Sequence, residues 1–131
     1  MRKASWHTTA AVLLAVLFTA TVSLAEVDVT GTWIGTASVP NEGDDKIHCV
    51  VKKEDGQYSA VFNDSFGVLA NIESYEVEYN DDTLVIKVIV PGNYGDLDIT
   101  ITLKVSKDTL GGEWIAQGTE QRGTIELKRQ Q

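Results

Sequence analysis

The chain predicts an all-β domain, an antiparallel up-and-down meander of about eight strands closed into a barrel. Three observations lead there. From residue 26 onward apolar residues recur with a period of two, and no ten-residue stretch carries a helical stripe. Turn-forming residues interrupt this pattern at short intervals, which makes successive strands antiparallel neighbours. With no helix to cover it, the apolar face must be covered by the sheet itself, as a barrel or a sandwich. Short connections throughout favour the up-and-down barrel, and closure removes edges that would invite aggregation.

Residues 1–25 read as an export signal. Arg2 and Lys3 precede an unbroken apolar run over residues 10–18, and Ser23-Leu24-Ala25 offers small residues at a cleavage position. The run is short for a membrane span and Glu26 and Asp28 follow at once, so no span is expected after cleavage. The remaining domain is 26–131, expected as a monomer in the periplasm or the extracellular space.

The first strand is expected over residues 29–38, stopped by Pro40-Asn41-Glu42-Gly43-Asp44. A second, 46–53, meets a third, 57–63, through Asp55-Gly56, a pair that tolerates positive φ and marks a tight hairpin. After a break at 64–67 come strands over 71–79 and 83–90, joined by Asn80-Asp81-Asp82. Pro91 to Gly95 then make a longer loop. The sixth strand, 96–105, alternates most clearly, with Leu97, Ile99, Ile101, Leu103 and Val105 on one face and Asp98, Thr100, Thr102 and Lys104 on the other. Strands over 109–117 and 122–129 complete the set.

Alternation nominates an interior of Trp33, Tyr58, Ala60, Phe62, Leu84, Ile86, Val88, the apolar face of the sixth strand, Trp114, Ile125 and Leu127. In the fourth strand it favours Tyr75, Val77 and Tyr79, since Glu76 and Glu78 occupy the other parity. The second strand is ambiguous, because Ile47, Cys49 and Val51 share one face while Val50 lies on the other. An apolar-x-Gly-x-Trp-Ile frame occurs twice, ending at Ile34 and at Ile115; glycine there gives a neighbouring indole room to lie across a strand.

Charge and composition narrow the function. Cleavage removes Arg2 and Lys3 but no acid, leaving 9 basic against 19 acidic residues, a net charge of −10. Nucleic acid and anionic lipid would both be repelled. Cys49 is the only cysteine, so no internal disulfide forms, and its simplest role is as a small core residue. His48, the only histidine after residue 25, adjoins it, but successive strand residues face opposite ways and do not form a nucleophile–base pair. The acidic groups Glu42/Asp44/Asp45, Asp81/Asp82 and Asp96/Asp98 lack the spacing of a calcium loop and read as solvated turn residues. No catalytic set, metal site or cofactor is expected.

Gly31-Thr32-Trp33 at the head of the meander and Arg129 near its end resemble the calycin superfamily of small β-barrels, which includes lipocalins, fatty-acid-binding proteins and avidins. The nearest likeness is to short bacterial exported lipocalin-like domains. The chain departs from typical lipocalins in being shorter and in lacking a flanking helix and disulfides, and the biotin-binding pattern of avidins cannot be placed on its later strands. The resemblance implies that Trp33 packs across one end of the barrel, beside Gly31, with Arg129 or Lys128 from the last strand lying over the indole. Such a cation–aromatic contact is worth about 0.5–2 kcal/mol. The resemblance implies no particular ligand.

A barrel of this size is either filled by side chains or holds one small ligand. The expected activity is binding of a small apolar or amphipathic molecule, with Tyr58, Phe62, Tyr75, Tyr79 and Trp114 lining the pocket and tyrosine hydroxyls orienting the guest. The alternative is a protein-binding or inhibitor module with a filled interior, presenting the loop from Pro91 to Gly95 with Tyr94 at its tip.

Overall fold

The computed structural model describes residues 26–131, and the export signal read in residues 1–25 lies outside the described residues. Eight strands follow in sequence: β1 (Gly31–Val39), β2 (Gly43–Glu54), β3 (Gln57–Asp64), β4 (Ile72–Asn80), β5 (Thr83–Val90), β6 (Leu97–Val105), β7 (Thr109–Ala116) and β8 (Arg122–Arg129). Each pairs antiparallel with its sequence neighbours, and β8 returns to β1, closing the barrel. Asp55 and Gly56 take φ of 51° and 79°, the two positive values that let a two-residue turn follow the twist of its strands.

Inward residues form one continuous core, in which Trp33, Cys49, Phe62, Leu84, Ile86, Leu103, Leu110 and Leu127 are fully buried. In β2 the buried parity is Ile47, Cys49 and Val51, and it extends back to Asp45 because the strand starts at Gly43, earlier than the turn residues suggest. Two glycines allow close strand approach. A Cβ at Gly35 would strike the Glu126 carbonyl, and one at Gly112 the Thr102 carbonyl. The glycine that makes room for the second indole is neither member of the repeated frame. It is Gly123, directly opposite Trp114 on β8, where a Cβ would lie 2.6 Å from the Trp114 Nε1.

One inward expectation fails. Tyr75 is 52% exposed and donates its hydroxyl to Asp98 Oδ1 at 2.7 Å on the outer face. The cause is a bulge in β4, where the register with β5 jumps from Ser74 to Glu76. One extra residue inverts the alternation, so Ser74 and Val77 turn inward while Tyr75 and Glu76 both face out.

The strands divide the barrel into two ends. One carries the β2–β3, β4–β5 and β6–β7 hairpins together with residues 26–30 and the end of β8. It is plugged. Trp33 pairs across the closure with Arg129, whose guanidinium carbon lies 4.3 Å from the centre of the indole. The same guanidinium donates to the carbonyls of Thr30 at 3.0 Å, Asp28 at 2.6 Å and Lys107 at 3.2 Å. Trp33 Nε1 donates to the Val29 carbonyl at 3.0 Å, and the Tyr79 hydroxyl to the Val27 carbonyl at 2.8 Å. Residues 27–30 are thereby tied down as a cap over this end.

The seam between β3 and β4 is the shortest of the closure, with only Val61↔Glu73 and Phe62↔Ile72 in register. Towards the plugged end these strands splay apart. There Ala60 N–H turns to the Ser74 hydroxyl at 2.9 Å in place of a backbone carbonyl.

Candidate functional site

The opposite end carries the β1–β2, β3–β4, β5–β6 and β7–β8 connections, and there the interior is hollow. A cavity of about 260 Å³ opens between the inward faces of the strands and the β3–β4 loop. Its apolar wall includes Ile47, Phe62, Val88, Val90, Leu97, Ile99, Ile101, Trp114 and Ile125, with Phe66, Val68 and Leu69 of the loop at the rim. The interior is filled unequally at its two ends. Ala37 and Gly123 lie where β1 and β8 pass Trp114, whereas Trp33 and four buried leucines fill the other end.

Trp114 is fixed by a hydrogen bond from Nε1 to the Ser38 carbonyl at 2.9 Å, which satisfies its only donor and leaves the ring to line the cavity. Phe62, fully buried, supplies a second aromatic wall. These are the two residues of the expected pocket set that meet at the cavity. Tyr58 and Tyr79 lie at the plugged end, packed edge to face with centroids 5.9 Å apart, and the Tyr79 hydroxyl is spent on the cap. Tyr75 is outside. No tyrosine hydroxyl is therefore aimed into the cavity, and that polar role falls to other side chains.

Those side chains are acids. Asp45 on β2 is only 5% exposed, and Asp64 at the end of β3 stands opposite inward-facing Ile47; both line the cavity, as does Glu42 of the β1–β2 turn. Asp45 Oδ1 accepts from Ser65 N–H at 3.1 Å, Ser65 Oγ at 3.0 Å and Phe66 N–H at 3.1 Å. Asp64 Oδ1 accepts from Leu69 N–H at 2.9 Å. The two carboxyls thus hold the β3–β4 loop against the mouth. Asp64 Oδ2 is buried with no hydrogen-bond partner. Burial first, then the neighbouring Asp64 carboxyl, pushes the Asp45 carboxyl up to about 6.

The reading of Asp45 as a solvated turn residue is therefore corrected, since it is a buried strand residue. Its signal was present in the sequence. Extending the Ile47–Cys49–Val51 parity back two positions reaches Asp45, and extending Ala60–Phe62 forward two reaches Asp64.

Elsewhere the chemistry is quiet. Cys49 is buried and free, and desolvation pushes its thiol up to about 12, which makes it inert. His48 points outward from β2 and is exposed. Among the described residues no group of three or more metal-ligating side chains gathers.

The fold and this cavity define a closed eight-stranded antiparallel barrel, plugged at one end and hollow at the other, compatible with a calycin-like architecture. Comparison with family models, with curated proteins and with solved structures returned no match.

Proposed function

We propose that this chain is an exported, lipocalin-like binding protein that takes one small, largely apolar molecule into the open end of its barrel. The carrying observation is the asymmetric interior, solid around Trp33 and hollow around Trp114. An apolar cavity of about 150 Å³ suffices for benzene, so about 260 Å³ admits a molecule of roughly ten non-hydrogen atoms. The plug built from Trp33, Arg129 and the 27–30 cap supports the same reading, because it stabilises the barrel without needing the open end to be filled.

Native mass spectrometry of the purified protein with toluene and with larger apolar probes tests this. A bound guest, with quenching of emission that disappears in Trp114→Phe, supports it. A bare chain and unchanged emission across the series sink it.

A second reading has its own observation. Phe66, Val68 and Tyr94 are exposed apolar side chains, and all belong to connections at the open end. Such a rim suits a protein partner. Substituting Tyr94, which lies outside the cavity lining, with serine would abolish partner capture while leaving a small guest in the cavity, which separates the two readings.

A further inference from the structure

We infer that the guest of this cavity is a small primary amine, with its apolar body between Phe62, Trp114 and the aliphatic wall and its ammonium group held by Asp45 and Asp64. The inference rests on the reading of the cavity as a ligand site and adds the chemical class of the ligand.

Four observations carry it. First, the lining contains the carboxylates of Glu42, Asp45 and Asp64 and the amide of Gln121, but no lysine, arginine or histidine. A fatty acid or other anion would enter against like charge with no cation to receive it.

Second, among the described residues the ion pairs lie elsewhere, as Lys87–Glu76, Lys104–Asp82 and Arg129–Asp108. Asp45 and Asp64 have none. Buried carboxylates are normally paired or well supplied with donors.

Third, the supply of donors is one-sided. Asp45 Oδ1 takes three and Asp64 Oδ1 takes one, yet the buried Asp64 Oδ2 takes none. While both groups are ionised that oxygen stays orphaned. A proton on Asp45 can satisfy it, and a bound ammonium beside the pair supplies the counter-charge that both carboxylates lack. A neutral apolar guest would supply neither.

Fourth, the acids sit on adjacent strands at one side of a wall that is otherwise apolar, so a guest with a single cationic end and an apolar body matches the site's polarity. A bare divalent ion matches it less well. Calcium takes six or more oxygens, and no ligating group of three gathers among the described residues.

The same arrangement gives the site a pH response. The groups facing Asp45 are Asp64 from β3 and the Ser65 and Phe66 amides from the β3–β4 loop, with Glu42 elsewhere in the cavity lining; no cation lines the cavity, and its neighbour Lys46 points outward. Amine binding therefore displaces the proton that Asp45 holds in acid, and affinity falls once the pH drops below about 6.

Calorimetric titration of the purified protein with phenethylamine, 2-phenylethanol, phenylacetate and toluene provides the test. At about pH 7.5 the amine is expected to bind at least about tenfold more tightly than the alcohol, with phenylacetate showing no binding. Asp64→Asn keeps the acceptor for Leu69 N–H and removes the charge. It is expected to lower the ratio of phenethylamine to toluene affinity by about tenfold. If toluene binds but the amine is no tighter than the alcohol, the amine assignment falls and the cavity reading stands. Calcium chloride binding in place of the amine also overturns the assignment. If none of the organic probes binds, the assignment and the reading beneath it both fall.

Discussion

Asp64→Asn should make the protein more stable, which is unusual for a substitution in a buried polar pair. The orphaned Oδ2 becomes an amide nitrogen that can donate to the Asp45 carboxylate, while Oδ1 keeps its bond from Leu69. Relief of a buried unsatisfied acceptor is worth about 1–3 kcal/mol. The raised Asp45 carboxyl points the same way, because an acid held above its ordinary value destabilises the folded state at neutral pH. Burial is the larger cause of that shift and survives the substitution, so a gain of about 1–2 kcal/mol is expected, or about 5 °C or more in Tm. The sign with pH is fixed. Asp45 titrates higher in the folded state than in the unfolded one, so the folded state holds the extra proton between about pH 4 and 6. The parent therefore loses stability as pH rises through that window, and the full cost is present above it. Urea denaturation of parent and variant at about pH 7.5 and about pH 4 should give a large difference at the first and a small one at the second. Equal stability at neutral pH, or a gain that grows in acid, would refute the account of the pair.

Other expectations concern the scaffold. Trp33→Ala should cost about 3–5 kcal/mol, as for other buried aromatics. Arg129→Ala should cost about 2–4 kcal/mol, since it strands three carbonyls along with the stacked indole, and the double mutant should cost less than the sum, measured by urea titration. Gly112→Ala should prevent a stable fold because its Cβ would meet the Thr102 carbonyl, whereas Tyr75→Ala on the outer face should change the stability measured in urea by less than about 0.5 kcal/mol. Cys49 should resist thiol reagents in the native protein and react once urea unfolds it. Backbone amides facing the β3–β4 seam, such as that of Tyr58, should exchange with solvent well before those between β5 and β6.

The barrel was legible because its signals are local and repeated. Asp55-Gly56 fixes a hairpin through backbone conformation alone, and the five-residue alternation of β6 fixes a face. The partners Trp33 and Arg129 could be named from the family resemblance, but the three carbonyls that hold the guanidinium could not, since they belong to a cap and a hairpin far apart in sequence. Tyr75 was misplaced because a bulge leaves no mark in residue type. Its extra residue inverts the face of everything N-terminal to it in the strand. Asp45 was misplaced for a different reason. An acid beside Gly43 and Asp44 has the composition of a turn, and only its strand parity says otherwise. The hollow interior is a matter of volume, and volume depends on how Ala37, Gly123 and Trp114 meet across β1, β7 and β8, which no single strand encodes.

The most direct test of the central claim is a toluene titration of the isotope-labelled protein followed by amide and indole chemical shifts. Saturable shifts at Phe62, Leu97, Ile125 and the Trp114 indole, with Tyr58, Tyr79 and Trp33 unmoved, are the expected result. Shifts confined to the Tyr94 loop or the Tyr58–Tyr79 seam, or no saturable shift at all, would contradict a ligand site in the open end of the barrel.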